Sequence, residues 1–204
     1  MIPNFQAHPW HGIPSGKNAP EVVNVFIEIV PSDTIKYEID KLSGYLKVDR
    51  PQQFSNIIPA LYGFIPKTYC HDEVKKLAIE SGSEDVKMGD LDPLDICVLS
   101  SHNIHAGGLL MEAIPIGGFK MIDKGEADDK IVAVMVGDHA FGHVRDITEL
   151  PEAEVKRLKH YFLTYKNLPD EPAKCRIDEV YGAEHAKQVI EASQKDYANK
   201  FGGY

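Results

Sequence analysis

Cysteine, basic residues and long uncharged apolar runs are all scarce in this chain. Its three cysteines are too few and too scattered for a disulfide framework or a structural zinc site, which favours a reducing compartment. Lys and Arg number 22 against 31 Asp and Glu, giving a net charge of −9, which argues against binding to duplex DNA. No run reaches the roughly 18 apolar residues of a membrane span, and the start lacks a signal peptide's basic and apolar regions. We therefore expect a soluble, cytoplasmic protein with no nucleic-acid or membrane partner.

What is present is the composition of one folded domain. The 204 residues are 43% hydrophobic and 26% charged, enough for a single core and incompatible with wholesale disorder. Residues 1–20 are rich in Pro and Gly without periodicity, which predicts an arm lying on a domain that spans residues 21–204. Within that domain, the polar stretch 71–89 predicts a surface insertion.

Strand patterns fill most of the first two thirds. Val22–Val30 is a nearly continuous apolar run, typical of a strand covered on both faces. Residues 35–50 alternate on both sides of Ser43-Gly44, which predicts a β-hairpin. Further strands are predicted at Ile57–Phe64, Leu94–Leu99, Leu109–Met121, Ile131–Val136 and around Lys174–Val180.

Helical periodicity appears only in the last third. Apolar residues repeat every three or four positions from Val155 to Leu168, which predicts an amphipathic helix after Pro151. Residues 183–200 predict a second helix that ends at Gly202-Gly203. Its apolar face consists of Ala186, Ile190, Ser193 and Tyr197. Many strands followed by two helices indicate an α+β domain built on a small barrel.

Three carboxylates fall within six residues in Asp90-Leu91-Asp92-Pro93-Leu94-Asp95, at the entrance of an apolar strand. Like charges at short range raise each other's pKa, so such a group is costly to hold together without a cation. Pro93 fixes its own φ and keeps Asp92 extended, and a local bend could bring all three carboxylates to one point. An acidic turn that merely caps the strand remains the alternative.

A second acidic cluster, Asp123 to Lys130, connects two predicted strands. Gly125 supplies the turn, and Asp128 and Lys130 lie two apart, on one face of the next strand. The segment could be an ordinary charged hairpin tip, and it does not match an EF-hand loop. If the two clusters bind a metal, their all-oxygen ligands favour Mg²⁺ over zinc, with Mn²⁺ or Ca²⁺ next.

Basic residues occur where an anionic substrate would need them. Lys36 and Arg50 lie on the predicted hairpin, and Lys130 and Lys166 come later. Taken singly, each is read most simply as a solvated surface charge. Tyr165 falls on the apolar stripe of its helix, where core packing is the default interpretation, whereas Lys166 is rotated off that stripe.

Six separated motifs together resemble the soluble family I inorganic pyrophosphatases, over about residues 21–170. They are Ile27-Glu28-Ile29; Ile35-Lys36-Tyr37-Glu38 with Val48-Asp49-Arg50; Pro59 to Pro66, which contains Tyr62-Gly63; Asp90 to Asp95; Lys120 to Asp123 with Asp128 and Lys130; and Tyr165-Lys166. The resemblance implies an OB-like five-stranded antiparallel β-barrel with two C-terminal α-helices packed outside. It also implies hydrolysis of inorganic diphosphate with several Mg²⁺ ions, for which Mn²⁺ could substitute, and a homo-oligomer, with a hexamer favoured.

Roles for individual residues follow from the same resemblance. Asp92 is the expected general base. The metal ligands implied are Asp90, Asp95, Asp123 and Asp128. Substrate would be bound by Lys36, Arg50, Tyr62, Lys130, Tyr165 and Lys166. Glu28 and Glu38 are expected to orient waters around the metals.

Three other functions were weighed against this one. A nucleic-acid or oligosaccharide module of the OB type would need a basic groove with spaced aromatics, which the acidic balance opposes. A structural Ca²⁺ site in a binding protein leaves Lys36, Arg50 and Lys166 unexplained. A phosphatase with a covalent aspartyl-phosphate would carry an apolar strand before Asp90, where polar residues stand instead.

Overall fold

The computed structural model describes residues 6–168 and 170–202. Its helices are α1 (Asp72–Glu80), α2 (Glu152–Thr164) and α3 (Ala183–Phe201), with a short 3₁₀ turn at Ile147–Glu149. Its strands are β1 (Val23–Ile29), β2 (Ile35–Ile39), β3 (Leu46–Pro51), β4 (Leu61–Phe64), β5 (Met88–Gly89), β6 (Asp95–Leu99), β7 (Leu109–Asp123), β8 (Glu126–Ala127), β9 (Lys130–Met135) and β10 (Cys175–Gly182). None of the helices within these ranges is both long and apolar enough to cross a membrane.

Five strands close into a ring. They follow the order β1-β4-β6-β9-β7, and β7 also pairs with β1. The pairing of β6 with β9 is parallel, while the other four pairings of the ring are antiparallel. Strands β5, β8 and β10 extend this core, and β2 and β3 form a separate hairpin. The expected α+β fold with an OB-like core is confirmed, with one parallel pair that the alternation pattern could not reveal.

Close packing between β1 and β4 depends on a glycine. Gly63 lies opposite Ile27, and a Cβ atom on Gly63 would come within 1.8 Å of the Phe26 carbonyl oxygen. The predicted strand Ile57–Phe64 is regular only over β4. Pro59, which has no N–H to give to a ladder, lies in the irregular part.

The two C-terminal helices pack outside the barrel as expected. All four residues predicted for the inner face of α3 are buried, and Gly202 ends the helix with φ +84°. Gly203 lies outside the described residues. Helix α2 ends at Thr164, earlier than the apolar pattern suggested, and Leu168 is exposed.

The segment 71–89 is more than an exposed insertion. It contains α1 and β5, and it buries Val74, Ala78 and Val86 in the same core as the barrel. The Asp196 carboxylate of α3 accepts hydrogen bonds from backbone N–H groups at the start of α1. Two apolar residues one turn apart are enough to bury one face of a short helix. Because so few apolar residues are needed, the helical pattern is weak in a polar sequence.

The arm lies on the domain, as far as it is described; residues 1–5 fall outside the described ranges. Trp10 is 4% exposed, and its indole N–H donates to the Thr68 carbonyl at 2.8 Å. The ring packs beside Tyr69, Tyr197 and Phe201. This part of the arm is therefore integral to the fold.

Candidate active site

The acidic loop before β6 is held in shape by its own backbone. Leu91 adopts φ +64°, and the Asp92 N–H donates to an Asp90 carboxylate oxygen at 3.0 Å. Cys70 closes the loop from the other side, because its N–H donates to the Asp92 carbonyl and its carbonyl accepts from Leu91. The turn keeps Asp90 on the inner side and leaves the Asp92 carboxylate partly open to solvent.

Lys130 joins two predicted metal ligands. The parallel register of β6 and β9 places Asp95 directly opposite Lys130. The buried Lys130 ammonium donates to Asp95 at 2.5 Å and also to Asp128. Burial alone would lower the pKa of Lys130, but the two carboxylates raise it well above its ordinary value.

Asp90 and Asp128 lie side by side, Asp128 buried and Asp90 half-buried. Burial raises the pKa of Asp90 well above its ordinary value, and the charge of Asp128 adds to the effect. Burial also raises the pKa of Asp128, even with Lys130 beside it. Two desolvated carboxyl groups in contact are stabilised by a proton or by a cation, so this pair is suited to bind one.

Asp123 reaches the site from the end of β7. Lys166 donates to one Asp123 oxygen at 2.5 Å, while the other oxygen, Oδ1, is buried without a hydrogen-bond partner. The Lys166 ammonium also lies 5.1 Å from the centre of the Tyr165 ring. Burial opposes the charge on Lys166, yet Tyr165 and Asp123 raise its pKa. One carboxylate oxygen thus remains available to a further cation.

The β2–β3 hairpin brings two predicted substrate-binding cations together. Lys36 and Arg50 lie directly opposite each other in the β2–β3 register, and the Lys36 ammonium lies 3.0 Å from Asp49. The Asp49 carboxylate lies between the two cations, 3.8 Å from Arg50 Nε, and offsets the repulsion expected of like charges at facing positions. Glu38 lies 3.8 Å from Lys36 on the same face.

Two further residues predicted for the site, Tyr62 and Glu28, lie between the β2–β3 hairpin and the aspartates. The Tyr62 hydroxyl donates to Asp95 at 2.5 Å. The Glu28 carboxylate accepts from the Ile39 N–H at 2.6 Å, and burial raises its pKa to about 8. Both residues line one cleft together with Lys36, Asp92 and Asp95.

The residues present fit hard divalent cations in their chemistry. The donors are all carboxylate oxygens, and Asp123 Oδ1 is a buried acceptor with no partner. Nevertheless, in residues 6–168 and 170–202 no three His, Cys, Asp or Glu side chains are placed to hold one ion together. Lysine ammonium groups contact the carboxylates of Asp95, Asp128 and Asp123 instead. An ion bound through those same oxygens would displace the lysines from them.

Three charged residues that were given no role in the sequence analysis also lie here. Lys41 is paired with Asp92, and Asp49 lies between Lys36 and Arg50. Asp129 is buried and accepts from the Tyr181 hydroxyl at 2.8 Å. Strand alternation could have placed Asp129 on the face opposite that of Asp128 and Lys130. A lysine in a hairpin turn, such as Lys41, has no sequence pattern that marks it as a site residue.

Comparison with known proteins assigns the family. A family model for inorganic pyrophosphatase matches residues 25–198. The inorganic pyrophosphatase of Chlamydia caviae is 47% identical over 95% of this chain and 92% of its own length. The soluble inorganic pyrophosphatase of Zea mays is 37% identical over 94% of this chain and 80% of its own. A crystal structure of inorganic pyrophosphatase from Thermus thermophilus covers 94% of this chain and 99% of that one, with a TM-score of 0.77 and 29% identity. The chain therefore belongs to the inorganic pyrophosphatase family and is a diphosphate hydrolase.

Proposed function

We propose that this protein hydrolyses inorganic diphosphate to two orthophosphates with Mg²⁺, using Asp92 as the general base. One observation carries the proposal: carboxylates from separate parts of the chain meet around Lys130, and Lys36 lines one cleft with two of the aspartates, Asp92 and Asp95. Diphosphate brings several negative charges to such a site, and catalysis of phosphoryl transfer consists mainly of positioning and electrostatic stabilisation.

The metal ligands would be Asp90, Asp95, Asp123 and Asp128. When bound there, Mg²⁺ would lower the pKa of a water molecule and neutralise phosphate charge, and Mn²⁺ could take its place. The unpartnered Oδ1 of Asp123 and the adjacent Asp90 and Asp128 carboxyl groups, whose pKa values are both raised, support this assignment. Glu28 and Glu38 border the same cleft, where their carboxyl groups would orient water.

Asp92 would take the proton from the attacking water. Its side chain is partly open to solvent, while its backbone is anchored by hydrogen bonds to Cys70 and Asp90. The Lys41 ammonium occupies the same carboxylate and has to leave before Asp92 accepts a proton. Lys41 sits in the exposed turn of the hairpin, so this movement is not hindered by burial.

The basic side chains would hold the two phosphates. Arg50 offers a planar fork for two oxygens, whereas lysine ammonium groups act as point charges. The lysines proposed for this role are Lys36, Lys130 and Lys166. The Tyr165 hydroxyl, and the Tyr62 hydroxyl once it leaves Asp95, would donate hydrogen bonds to the leaving phosphate.

A phosphate-release assay with inorganic diphosphate, in excess Mg²⁺ and in excess chelator, tests the proposal. We expect rapid release with Mg²⁺ and loss of activity with chelator. Activity that survives chelation would contradict metal dependence. An acid-stable phosphoenzyme would indicate an aspartyl-phosphate mechanism. No release of phosphate under either condition would favour a binding protein instead of an enzyme.

Replacing the proposed base provides a second, independent test. Asp92→Asn should lower kcat by about 10²- to 10⁴-fold, because the amide cannot accept the proton while the loop keeps its backbone hydrogen bonds. The Mg²⁺ concentration for half-maximal activity should change little. Asp72→Asn, which alters an exposed carboxylate at the start of α1, is the matched control. A kcat near that of the control would remove Asp92 from this role.

The family membership also motivates proposals about assembly and location. We expect a homo-oligomer, with six subunits as the favoured number. All three cysteines are free thiols, which agrees with the expected reducing compartment. A cytoplasmic location stays a prediction, testable by cell fractionation.

A further inference from the structure

A pair of histidines lies at the barrel end opposite the carboxylates. His102 follows β6, and His139 follows β9. These strands are parallel neighbours, so their C-terminal ends meet at one edge of the sheet. Asp95 and Lys130 begin the same strands, and roughly 15 Å of strand therefore separates the two sites.

The two imidazoles are spaced like ligands of one metal ion. Nδ1 of His139 lies 3.4 Å from Nε2 of His102, so the two imidazoles share a hydrogen bond that a metal ion would replace. A tetrahedral ion with metal–nitrogen bonds of about 2.0–2.1 Å holds neighbouring nitrogens roughly 3.4 Å apart. Both side chains are exposed, so water can complete the coordination.

The buried Asp138 carboxylate ties the two histidine-bearing loops together. It accepts from the Ser101 N–H at 2.7 Å and from the Ser100 hydroxyl at 2.9 Å, next to His102. It also accepts from the Ala140 and Phe141 N–H groups, beyond His139. The loops are thereby fixed before any ligand arrives, which lowers the entropic cost of binding.

The His8–His11 pair in the arm offers a useful contrast. Its rings are close as well, with centroids 4.8 Å apart. However, Nδ1 of His8 accepts from the Trp10 and His11 N–H groups, and Nδ1 of His11 bonds to the Tyr197 hydroxyl. These nitrogens serve the packing of the arm.

We infer that His102 and His139 form a second metal site, which binds a borderline divalent transition metal such as Zn²⁺, Ni²⁺ or Cu²⁺. Imidazole favours these ions, whereas Mg²⁺ favours carboxylate oxygens, so the two sites select different metals. The bound ion would link the loop after β6 to the turn after β9. This inference is independent of the proposed catalytic roles.

The test uses electron paramagnetic resonance of the full-length protein with one equivalent of Cu²⁺ and saturating Mg²⁺. We expect a spectrum with hyperfine splitting from two imidazole nitrogens. His102→Gln and His139→Gln should each abolish the two-nitrogen pattern, while His8→Gln should leave it intact. Diphosphate hydrolysis with Mg²⁺ should be normal in all three variants. A pattern that persists in His102→Gln, or an oxygen-only spectrum in the unaltered protein, would overturn the inference.

Asp138 provides a test of the preorganisation. Asp138→Asn keeps both histidines but weakens the hydrogen bonds that join the loops. Affinity for Zn²⁺, measured by calorimetry in saturating Mg²⁺, should fall by about tenfold. Saturating Zn²⁺ should raise the Tm of the unaltered protein and of His8→Gln, but not that of His139→Gln. Equal Tm shifts in all three would count against the site.

Discussion

Glu28 shows how a single side chain can be stabilised in an unusual protonation state. The residue is 6% exposed in β1, and its carboxyl group accepts a backbone hydrogen bond from Ile39. Burial is the main cause that raises its pKa to about 8, and the charges of Asp95 and Glu38 contribute. Without bound cations, the folded protein therefore holds a proton on Glu28 that the unfolded chain releases above about pH 4.5.

This difference predicts how stability depends on pH. The stabilising effect of neutral Glu28 is complete below its ordinary pKa of 4.5 and is lost as pH rises to about 8. In excess chelator, the free energy of unfolding should decrease with pH, relative to Glu28→Gln, by on the order of 1 kcal/mol per pH unit. Urea unfolding at several pH values measures it.

The exposed Glu21→Gln serves as the control, and its profile should parallel that of the unaltered protein. If Glu28→Gln gives the same parallel profile, the Glu28 carboxyl group is ionised in the folded state and the assigned pKa is wrong.

For individual residues, the sequence indicates which side chains belong to the candidate site, but it does not indicate which of them contact each other. The Asp90–Asp95 spacing pointed to a cation site because like charges repel, and the structure places Asp90 beside Asp128. Which ammonium contacts which carboxylate depends on strand register, as in the Asp95–Lys130 pair. Strand register depends on contacts between distant segments, so local patterns in one sequence do not reveal it.

Helix α2 carries the two C-terminal site residues to their positions. Phe162 is 2% exposed on this helix, and its ring lies 6.2 Å from that of Tyr62 and 6.3 Å from that of Tyr165. It also contacts Phe119 of β7. The Phe162 ring thus packs beside both tyrosines proposed to contact the substrate, and Tyr161 also stacks on Tyr165.

Removing that ring should weaken both stability and substrate binding. Phe162→Ala should cost about 3–5 kcal/mol of unfolding free energy, because the deleted ring leaves a cavity. In the folded fraction KM for diphosphate should rise, since Tyr62 and Tyr165 lose their support. His160→Ala, on the exposed side of α2, is the control and should be nearly neutral. An unchanged KM in folded Phe162→Ala would show that the tyrosines are held by other contacts.

Elements with strong periodicity could be predicted, and weak ones could not. Helix α3 matches its predicted face because four residues at helical spacing are all buried. The polar stretch 71–89 does not predict helix α1, because the buried residues of this helix are Val74 and Ala78 alone. Its stability comes from Asp196 and the barrel, which no local pattern encodes.

On the scale of the whole molecule, net charge gives the wrong impression of the substrate. The chain carries −9 overall, yet Lys36 lines the candidate cleft, and Lys130 and Lys166 lie against its proposed metal ligands. Much of the acidic excess in this region belongs to the proposed metal ligands. The local field therefore decides which ligand enters.

Assembly is the prediction that belongs to this scale. Light scattering should give a mass six times that of the chain, as the family resemblance implies. A different multiple would reject the hexamer while keeping the homo-oligomer. A mass equal to one chain, across a range of protein concentrations, would contradict both.

The central claim is that carboxylates far apart in the sequence together bind divalent cations in the candidate active site. Anomalous diffraction from crystals soaked in Mn²⁺ measures this directly. We predict peaks within about 2.0–2.2 Å of oxygens from Asp90, Asp95, Asp123 and Asp128, with the Lys130 and Lys166 ammonium groups displaced from those oxygens. Saturating Mn²⁺ that leaves both lysines on the carboxylates, with no peak among them, would contradict the account.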